Sequence, residues 1–193
     1  MQNYVIRNIQ SSDIIEVSKL HIRAFPHDHF TSHFPQKLLL KYFKSLNSDN
    51  KFNYVIYNEN ESLLLGYLIA GDEFRVILSK FKTKNYFNVL LVLLKNPRFL
   101  FEKFFLLTQN LLFPKKTNVK FRVFVFVTNP DFQRKGIGKL LLKRLEQDLR
   151  KIGINHYGLS VRSNNLSAIN FYKINEFEME FSSLKSVYLI KYL

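Results

Sequence analysis

Several residue types are missing or rare in this chain of 193 residues, which has no cysteine, no tryptophan, six glycines and five prolines. Without cysteine there is no disulfide bond, no thiolate metal site and no cysteine nucleophile. The first residues contain no apolar segment typical of a signal peptide, and no apolar run is long and uncharged enough to cross a bilayer. These absences predict a cytoplasmic protein, and they leave open a peripheral position at the inner face of the membrane.

Acidic residues are also scarce, since 15 Asp and Glu stand against 29 Lys and Arg and give a formal net charge of +14. Such an excess favours anionic partners, namely nucleic acid, an anionic membrane surface or phosphate-bearing ligands. The alternative is a general bias toward lysine and asparagine without functional meaning. The length, the 47% hydrophobic content and the 23% charged content predict one globular domain over residues 1–193.

Two of the six glycines, Gly136 and Gly138, lie between an apolar strand predicted at 119–127 and a predicted helix. Backbone N–H groups and the positive end of the helix dipole converge at such a junction. Glycine has no Cβ and therefore lets an anion approach the backbone closely. The segment predicts a cradle for a diphosphate, formed by Gln133, Arg134, Lys135, Gly136, Ile137, Gly138 and Lys139.

Other phosphate-binding motifs do not fit this segment. A P-loop requires a glycine at position 133, which is Gln133, and a Ser or Thr after Lys139, where Leu140 stands. The dinucleotide-binding fingerprint requires a third glycine and an acidic residue further along the chain. The pattern that remains is Gln-x-x-Gly-x-Gly, and its alternative interpretation is a glycine-rich turn that caps an ordinary helix.

Apolar periodicity along the chain predicts a regular order of strands and helices. Strands are predicted at 4–8, 52–57, 62–70, 119–127, 155–161, 177–181 and 187–192, and helices at 14–24, from Pro35, from Gly138 to Gly153, and at 165–174. Gly66, inside a strand, indicates a bulge or a close backbone approach. Residues 72–117 interrupt the strands with two or three basic, aromatic, amphipathic helices.

Two motifs in this order resemble those of the GNAT family of N-acetyltransferases. The first is the glycine segment that begins at Gln133. The second runs from Asn165 through Ala168 to Phe171 and Tyr172, and resembles the Asn-x-x-Ala-x-x-Phe-Tyr motif of the family. The resemblance implies an α/β fold with a mixed, mostly antiparallel sheet of about seven strands flanked by helices, the acyl-CoA N-acyltransferase fold. Residues 72–117 are then a helical insertion.

The resemblance also implies a chemistry, in which acetyl-CoA is the cosubstrate, no metal is needed and an amine attacks the thioester directly. Tyr172 then protonates the leaving thiolate, although a packed tyrosine without chemistry is the alternative. Asn165 offers an amide to the pantetheine arm or is a plain helix cap, and the small Ala168 lets the ligand lie against its helix. The thioester carbonyl is held by the main chain of Phe126, Val127 and Thr128.

The chain departs from the family pattern at two positions. Glu176 stands where the family has glycine, and we expect Asn175 to take the left-handed conformation instead. Arg122 stands where many relatives carry a glutamate base, and an arginine does not act as a base at neutral pH. Either the amine arrives deprotonated or another residue helps; the candidates are Glu59, Glu61, Asp72, His27, His29 and His33.

The spacing of these three histidines could suggest a metal site, but Asp28 is the only carboxylate beside them, which favours a loop on the acceptor side.

The acceptor itself stays open: an amino sugar on a nucleotide or lipid carrier in polysaccharide synthesis, a protein amine, or a polyamine. A binding module for RNA or an anionic membrane is the alternative class. We expect the insertion to lie beside the acceptor side of the cleft with an exposed apolar patch, unless it is a simple cap over the core. The cations expected to flank that patch are Lys95, Arg98, Lys103, Lys115 and Lys116.

Overall fold

A computed structural model describes residues 4–25, 29–48, 52–58, 60, 62–112, 117–183 and 185–193 of the chain. The strands are β1 (Tyr4–Asn8), β2 (Phe52–Asn58), β3 (Leu63–Gly71), β4 (Arg122–Thr128), β5 (His156–Arg162), β6 (Glu178–Ser182) and β7 (Ser186–Tyr192). The α-helices are α1 (Ile14–Ala24), α2 (Gln36–Ser48), α3 (Phe74–Lys84), α4 (Tyr86–Lys95), α5 (Pro97–Leu112), α6 (Ile137–Lys151) and α7 (Leu166–Ile174). Short 3-10 helices lie at Ser11–Asp13, Phe30–His33 and Pro130–Phe132.

The seven strands form one sheet in the order β1-β2-β3-β4-β5-β7-β6. Every neighbouring pair is antiparallel except β4 and β5, which are parallel. The predicted seven-stranded, mostly antiparallel sheet is therefore confirmed. The strand predicted from Val119 begins as ladder structure at Arg122, three residues later than expected.

A hydrophobic core lies on each face of the sheet. The α1 core contains buried side chains of α1, α2, α3 and α4, and the α6 core lies beneath α6 and α7. In α2, five residues at helical spacing face inward and are 0–5% exposed, as the amphipathic pattern predicts. They are Leu38, Leu39, Tyr42, Phe43 and Leu46.

Two irregularities shape the middle of the sheet. Opposite Gly66 the register between β2 and β3 shifts, and a Cβ at Gly66 would lie 2.7 Å from the carbonyl oxygen of Val127. The bulge and the close backbone approach predicted at Gly66 are thus both present. Between β3 and β4 the register shifts again, so that Phe124 is an extra residue of β4.

The bulge at Phe124 changes which face of the sheet the β4 side chains occupy. Val123 lies in the α6 core, whereas Val125 and Val127 lie in the α1 core. The ring of Phe124 stacks on that of Phe74 at the start of α3, with centroids 4.6 Å apart. A bulge also bends its strand and increases the local twist. β4 therefore changes direction just where it stops pairing with β5.

The segment between β3 and β4 folds as three helices, α3, α4 and α5, and Pro97 begins the last of them. Pro114, expected to end it, lies outside the described residues. Buried apolar residues join these helices to the rest of the protein: Ile77, Phe81, Val89, Val92 and Phe99. Among the described residues, none of the helices is both long and apolar enough to cross a membrane.

A buried histidine makes the stability of this fold depend on pH. One ring nitrogen of His21 lies 2.8 Å from the Tyr67 hydroxyl and the other 2.8 Å from Thr31 Oγ1. Burial, and then the charge of His29, lower the pKa of His21 to about 3. Since the unfolded chain protonates His21 near pH 6.5, it binds more protons than the folded chain below that pH. We expect stability to fall as the pH drops from about 6.5, by at most about 1.4 kcal/mol per pH unit.

The comparison with His21→Gln isolates this contribution, because glutamine keeps hydrogen-bonding groups but does not titrate. Urea unfolding between about pH 6.5 and pH 4.5 should show a shallower loss of stability for His21→Gln than for the parent. His156→Gln, at a half-buried histidine of β5, is the control for replacing an imidazole with an amide outside the α1 core. Equal slopes for the parent and His21→Gln would contradict the assignment.

Candidate active site

The parallel strands β4 and β5 part from each other at their carboxyl ends. Their ladder has two registered pairs, Arg122 with Gly158 and Val123 with Leu159. Beyond these pairs β4 continues to Thr128, and β5 continues to Arg162 along its other neighbour, β7. The main chain of β4 after Val123 thus borders a wedge-shaped opening between the two strands.

The three β4 residues singled out from the sequence lie along this opening. Phe126 is half-buried, and its ring centroid lies 6.0 Å from that of Phe171 and 6.2 Å from that of Tyr172. The Val127 side chain is buried in the α1 core, so only its main chain is available to a ligand. Thr128 ends the strand. The position of these residues is compatible with main-chain contacts to a group lying between the strands.

The glycine turn stands at the end of this opening, where α6 begins. Gly136 has φ +79° and is the N-cap residue of α6, which has no side-chain cap and no acidic residue in its first turn. Arg134 also has a left-handed backbone, with φ +62°. Left-handed residues followed by helical ones turn successive N–H groups toward one point, which suits an anion. A Cβ at Gly136 would meet no atom within 4 Å, so the space beside it is open.

Gly138 has a packing reason for being glycine, which the sequence did not indicate. A Cβ at Gly138 would lie 2.9 Å from the Phe171 ring and 3.4 Å from that of Phe126. The first turn of α6, the end of β4 and helix α7 therefore meet at this residue. Close contact between these elements brings the two sequence motifs together. Ile137, beside Gly138, is buried in the α6 core.

Hydrogen bonds and an ion pair hold the turn before α6 in place. The Asn129 backbone N–H donates to Leu65 O at 2.7 Å, and its side-chain amide donates to Leu64 O at 3.2 Å. Arg23 of α1 pairs with Asp131 at 2.8 Å. Four polar side chains of the predicted cradle are exposed around this anchored turn: Gln133, Arg134, Lys135 and Lys139. Their location gives the open side of Gly136 a positive potential.

Helix α7 carries the second motif. The Asn165 side-chain oxygen accepts a hydrogen bond from the Ala168 N–H at 3.1 Å, so Asn165 is the N-cap of α7. This bond does not use its Nδ2 amide, which is the group expected to reach a ligand. Ala168 is half-buried against the α6 core. Asn165 is therefore a helix cap, and its side-chain amide is still available to a ligand.

Tyr172 is buried between the end of β4 and the start of β6. Its ring lies 6.2 Å from Phe126 and 5.3 Å from Phe177, measured between centroids. Burial raises the pKa of the Tyr172 phenol well above its usual value of about 10. The phenol therefore keeps its proton at neutral pH, as a proton donor requires.

The expectation for the end of α7 was wrong. Glu176, not Asn175, takes the left-handed conformation, with φ +67° against −95° for Asn175. The N–H of Phe177 bonds to Tyr172 O and that of Glu176 to Lys173 O, which is the Schellman pattern. Asn175 stays in the right-handed path because its backbone and side chain both donate to Phe171 O. The residue after it must then make the turn.

Arg122 is occupied by contacts within the protein. Its guanidinium pairs with Glu180 of β6 at 2.6 Å and donates to Thr117 Oγ1 at 2.7 Å. To reach them it passes over Gly158, where a Cβ would lie 2.9 Å from Arg122 Nη1. The Thr117 hydroxyl also donates to Glu180. This partly buried ion pair gives Arg122 a structural role, and it also engages the Glu180 carboxylate.

The structure describes three of the other candidates for the base, namely Asp72, His29 and His33. Asp72 is exposed directly after β3, whereas Glu59, Glu61, His27 and the neighbouring Asp28 lie outside the described residues. The His29 ring packs on Phe25 at 4.0 Å between centroids, and His33 Nε2 lies 3.0 Å from Arg98 Nη2. In the described part of the chain, no three histidine or acidic side chains are grouped to hold a metal.

Helix α5 contacts both the α1–α2 connection and the end of β5. Phe99 packs on Phe30 and His33 of the α1–α2 connection, each at 5.3 Å between ring centroids. One turn later Glu102 pairs with Arg162 at the end of β5, at 3.3 Å, and with Lys185 before β7, at 3.2 Å. The helix thereby joins the two sides of the opening. Lys115 and Lys116 lie outside the described residues, as does the side chain of Lys103.

A mixed sheet whose central parallel strands part beside an uncapped glycine turn is the architecture of the acyl-CoA N-acyltransferase fold. Solved structures share it over nearly their full length. SsHAT has a TM-score of 0.71 at 16% identity, covering 98% of each chain. The PaiA N-acetyltransferase of Thermoplasma acidophilum, solved in complex with coenzyme A, has a TM-score of 0.61 at 16% identity, covering 99% of each chain.

Sequence comparison is more specific than the fold. Residues 103–177 match the model of the Acetyltransferase (GNAT) family. Over 51 residues, 26% of this chain, the sequence is 39% identical to the ribosomal protein bS18-alanine N-acetyltransferase of Escherichia coli (strain K12). That match spans 34% of the length of the curated relative. Both motifs singled out from the sequence lie within the matched residues 103–177, so the chain is similar to the GNAT family where the two motifs indicated it.

The role of Arg122 leads to a prediction about stability. Arg122→Glu would place a carboxylate where many family members carry one. In this protein the new carboxylate would face Glu180, which would lose its cationic partner. We expect it to destabilise the protein by about 3–5 kcal/mol, the usual effect of breaking a buried pair, and not to increase acetyl transfer. Chemical denaturation measures the first effect and thiol release the second.

The matched control is Lys19→Glu, which breaks an exposed pair with Glu16 on α1. It should change stability by less than about 1 kcal/mol. In the double variant Arg122→Glu with Glu180→Arg, opposite charges face each other again, and part of the lost stability should return. A fully stable Arg122→Glu variant would refute the structural role.

Proposed function

We propose that this protein transfers an acetyl group from acetyl-CoA to a primary amine. The observation that carries the proposal is the opening between β4 and β5 directly beside the uncapped, positively charged turn at Gly136. A ligand with a diphosphate at one end and an extended thioester arm requires such a pair of features side by side. A binding module without catalysis is the alternative, and the retained Tyr172 at the same opening disfavours it.

Each part of the site has a defined task in this proposal. Residues 133–139 hold the diphosphate through main-chain N–H groups, with Arg134, Lys135 and Lys139 adding positive charge. The arm lies in the opening beside Ala168, and the Asn165 amide reaches toward it. The main chain of Phe126, Val127 and Thr128 donates to the thioester oxygen as negative charge develops there.

Acetyl-CoA supplies the acetyl group as an activated thioester. When the amine attacks, a C–N bond forms, the C–S bond breaks and the sulfur leaves as a thiolate. Tyr172 gives its proton to that sulfur, because burial keeps the phenol protonated until a negative charge develops beside it. The attacking nitrogen loses one proton to solvent as the amide forms, and a proton from solvent restores the phenol. Positioning the amine against the thioester provides a large share of the rate.

The amine must lose its proton to attack, and Arg122 is not the group that takes it. In this proposal the amine either enters deprotonated or passes its proton to a carboxylate or histidine on the acceptor side. Asp72, His29 and His33 are the described candidates there. The α1–α2 connection and α5 border this side, so the acceptor enters between them.

The fold does not identify the acceptor. An amino sugar carried by a nucleotide or a lipid is one candidate, and it suits the long basic insertion at the acceptor side. A protein amine is another, because the similar Escherichia coli enzyme is named for acetylation of a ribosomal protein alanine. Polyamines are a third. Free-thiol release from acetyl-CoA, measured over a panel of these amines, tests the activity and selects among them.

Coenzyme A should raise the melting temperature of the protein, since a ligand that binds only the folded state stabilises it. Gly136→Asp should abolish the shift, because it places a negative side chain in the open space beside the diphosphate. Thermal melting with and without coenzyme A measures both effects. Gly138→Asp should abolish the shift too, but it also collides with Phe171.

The chain offers a matched control for Gly136→Asp. Gly153, at the other end of α6, has φ +75° and likewise no atom within 4 Å of a built Cβ. Gly153→Asp therefore introduces the same backbone strain, about 1–2 kcal/mol, far from the proposed diphosphate. It should lower the melting temperature but keep the coenzyme A shift. If Gly136→Asp keeps the shift as well, the diphosphate does not bind at this turn.

Tyr172→Phe removes only a hydroxyl, so it should lower turnover by about 10²–10⁴-fold while coenzyme A affinity stays within a few-fold of the parent. Thiol release gives the turnover and isothermal titration gives the affinity. Tyr42→Phe, at a tyrosine equally buried in the α1 core, is the control and should leave turnover unchanged. Unchanged turnover of Tyr172→Phe across the pH range would show that another group protonates the thiolate.

A further inference from the structure

The segment that contains α3, α4 and α5 is almost without negative charge. Between Glu73 and Asp131 the only acidic residue is Glu102. The Glu102 carboxylate is paired with Arg162 and Lys185, so it does not neutralise the cations of its own segment. Eleven basic residues occupy the same stretch: Arg75, Lys80, Lys82, Lys84, Lys95, Arg98, Lys103, Lys115, Lys116, Lys120 and Arg122.

Helix α4 is apolar on both sides. One side contributes Val89 and Val92 to the α1 core, where they are 7% and 5% exposed. The opposite side is also apolar but lies in solvent, and Lys95 is the only charged residue of the helix. Helices that are apolar all round are normally covered on all sides. The exposed side consists of Tyr86, Phe87, Leu90, Leu91 and Leu94, which are 40–68% exposed.

Helix α5 repeats the arrangement. Phe99 is buried against the α1–α2 connection, and residues on the outward side of the first two turns are aromatic or aliphatic. They are Leu100, Phe101, Phe104 and Phe105, which are 37–75% exposed. The two helices contact each other, so the nine exposed residues belong to adjacent helices. We call these nine residues the apolar face. Exposed apolar clusters of this kind are typical of interaction sites.

The charges around the apolar face decide what covers it. A second copy of the chain would bring two cationic surfaces together with no acidic partner between residues 74 and 101. A nucleic acid would satisfy the lysines and its bases can stack on the five aromatic rings of the face, but the four leucines offer bases no stacking surface and would stay exposed. An anionic bilayer fits both features, since apolar side chains enter the acyl boundary while lysines meet the headgroups.

We propose that the apolar face of α4 and α5 docks on the surface of an anionic lipid bilayer. Lys80, Lys82 and Lys84 at the end of α3 are exposed directly before α4, and Lys95 and Arg98 flank the α4–α5 junction. These cations lie at both ends of the α4 stripe, where headgroups would surround an inserted apolar strip. The proposal does not depend on the proposed acetyl transfer.

Co-sedimentation with vesicles tests the docking. The parent protein should bind vesicles of phosphatidylcholine mixed with phosphatidylglycerol at least about tenfold more tightly than phosphatidylcholine alone, and salt should weaken the binding. Phe101→Ser with Phe104→Ser should lower the affinity by about tenfold or more, because two aromatic side chains no longer enter the lipid. Lys80→Glu with Lys84→Glu should lower it similarly, and only on the anionic vesicles.

Matched controls are available on other surfaces. Ile152→Ser with Ile174→Ser removes two isoleucines that are 57% and 82% exposed after α6 and at the end of α7. Lys143→Glu with Lys173→Glu changes the net charge by the same amount as the α3 variant. Both controls should bind anionic vesicles like the parent, and all variants should keep the parent melting temperature.

Three results would overturn the proposal. The first is a failure of the parent protein to sediment with anionic vesicles. The second is an equal loss of binding in the controls, which would show a general charge effect without a defined face. The third is dimerisation of the parent protein without lipid that is lost in the double variant Phe101→Ser with Phe104→Ser. That result would show that the apolar face joins two copies of the chain.

Discussion

The central constraint on this structure is the short pairing between β4 and β5. Two residue pairs hold the strands together, and the extra residue Phe124 then bends β4 away. One sheet thereby becomes two half-sheets joined at Arg122 and Val123, with a helical layer on each face. The glycine turn at Gly136, the buried Tyr172 and helix α5 are all placed relative to that opening. A regular β4 paired along its whole length with β5 would close the space that they share.

Local features of the site could be read from the sequence because they depend on neighbours in the chain. The glycine turn at Gly136 follows a strand and begins a helix, and the positive φ there is a local requirement. Asn165 caps α7 through the residue three positions later. Gly66 indicated an irregularity that the register shift and the approach to Val127 both show. The order of strands and helices followed from apolar spacing for the same reason.

Two features that could not be predicted join residues far apart in the chain, and a third depends on one local side-chain bond. Glu180 is 58 positions from Arg122, and nothing near either residue indicates the pair. Glu102 holds β5 and the connection before β7 from inside an insertion whose own pattern shows only amphipathic helices. At the end of α7, either Asn175 or Glu176 could take the left-handed conformation, and the Asn175 side chain donates a hydrogen bond to Phe171 O. Residue preference alone favours asparagine in the left-handed position, whereas that bond decides for Glu176.

The path of the Arg122 side chain links three strands that are not consecutive in the sheet. The guanidinium crosses β5 where only hydrogen lies beneath it, at Gly158, and ends on β6 at Glu180. A larger residue at 158 would close this passage, and a shorter one at 122 would leave Glu180 without its cation. Positions 122, 158 and 180 should therefore vary together among related sequences. Where position 122 is a glutamate, we expect a residue larger than glycine at 158 and no acidic residue at 180.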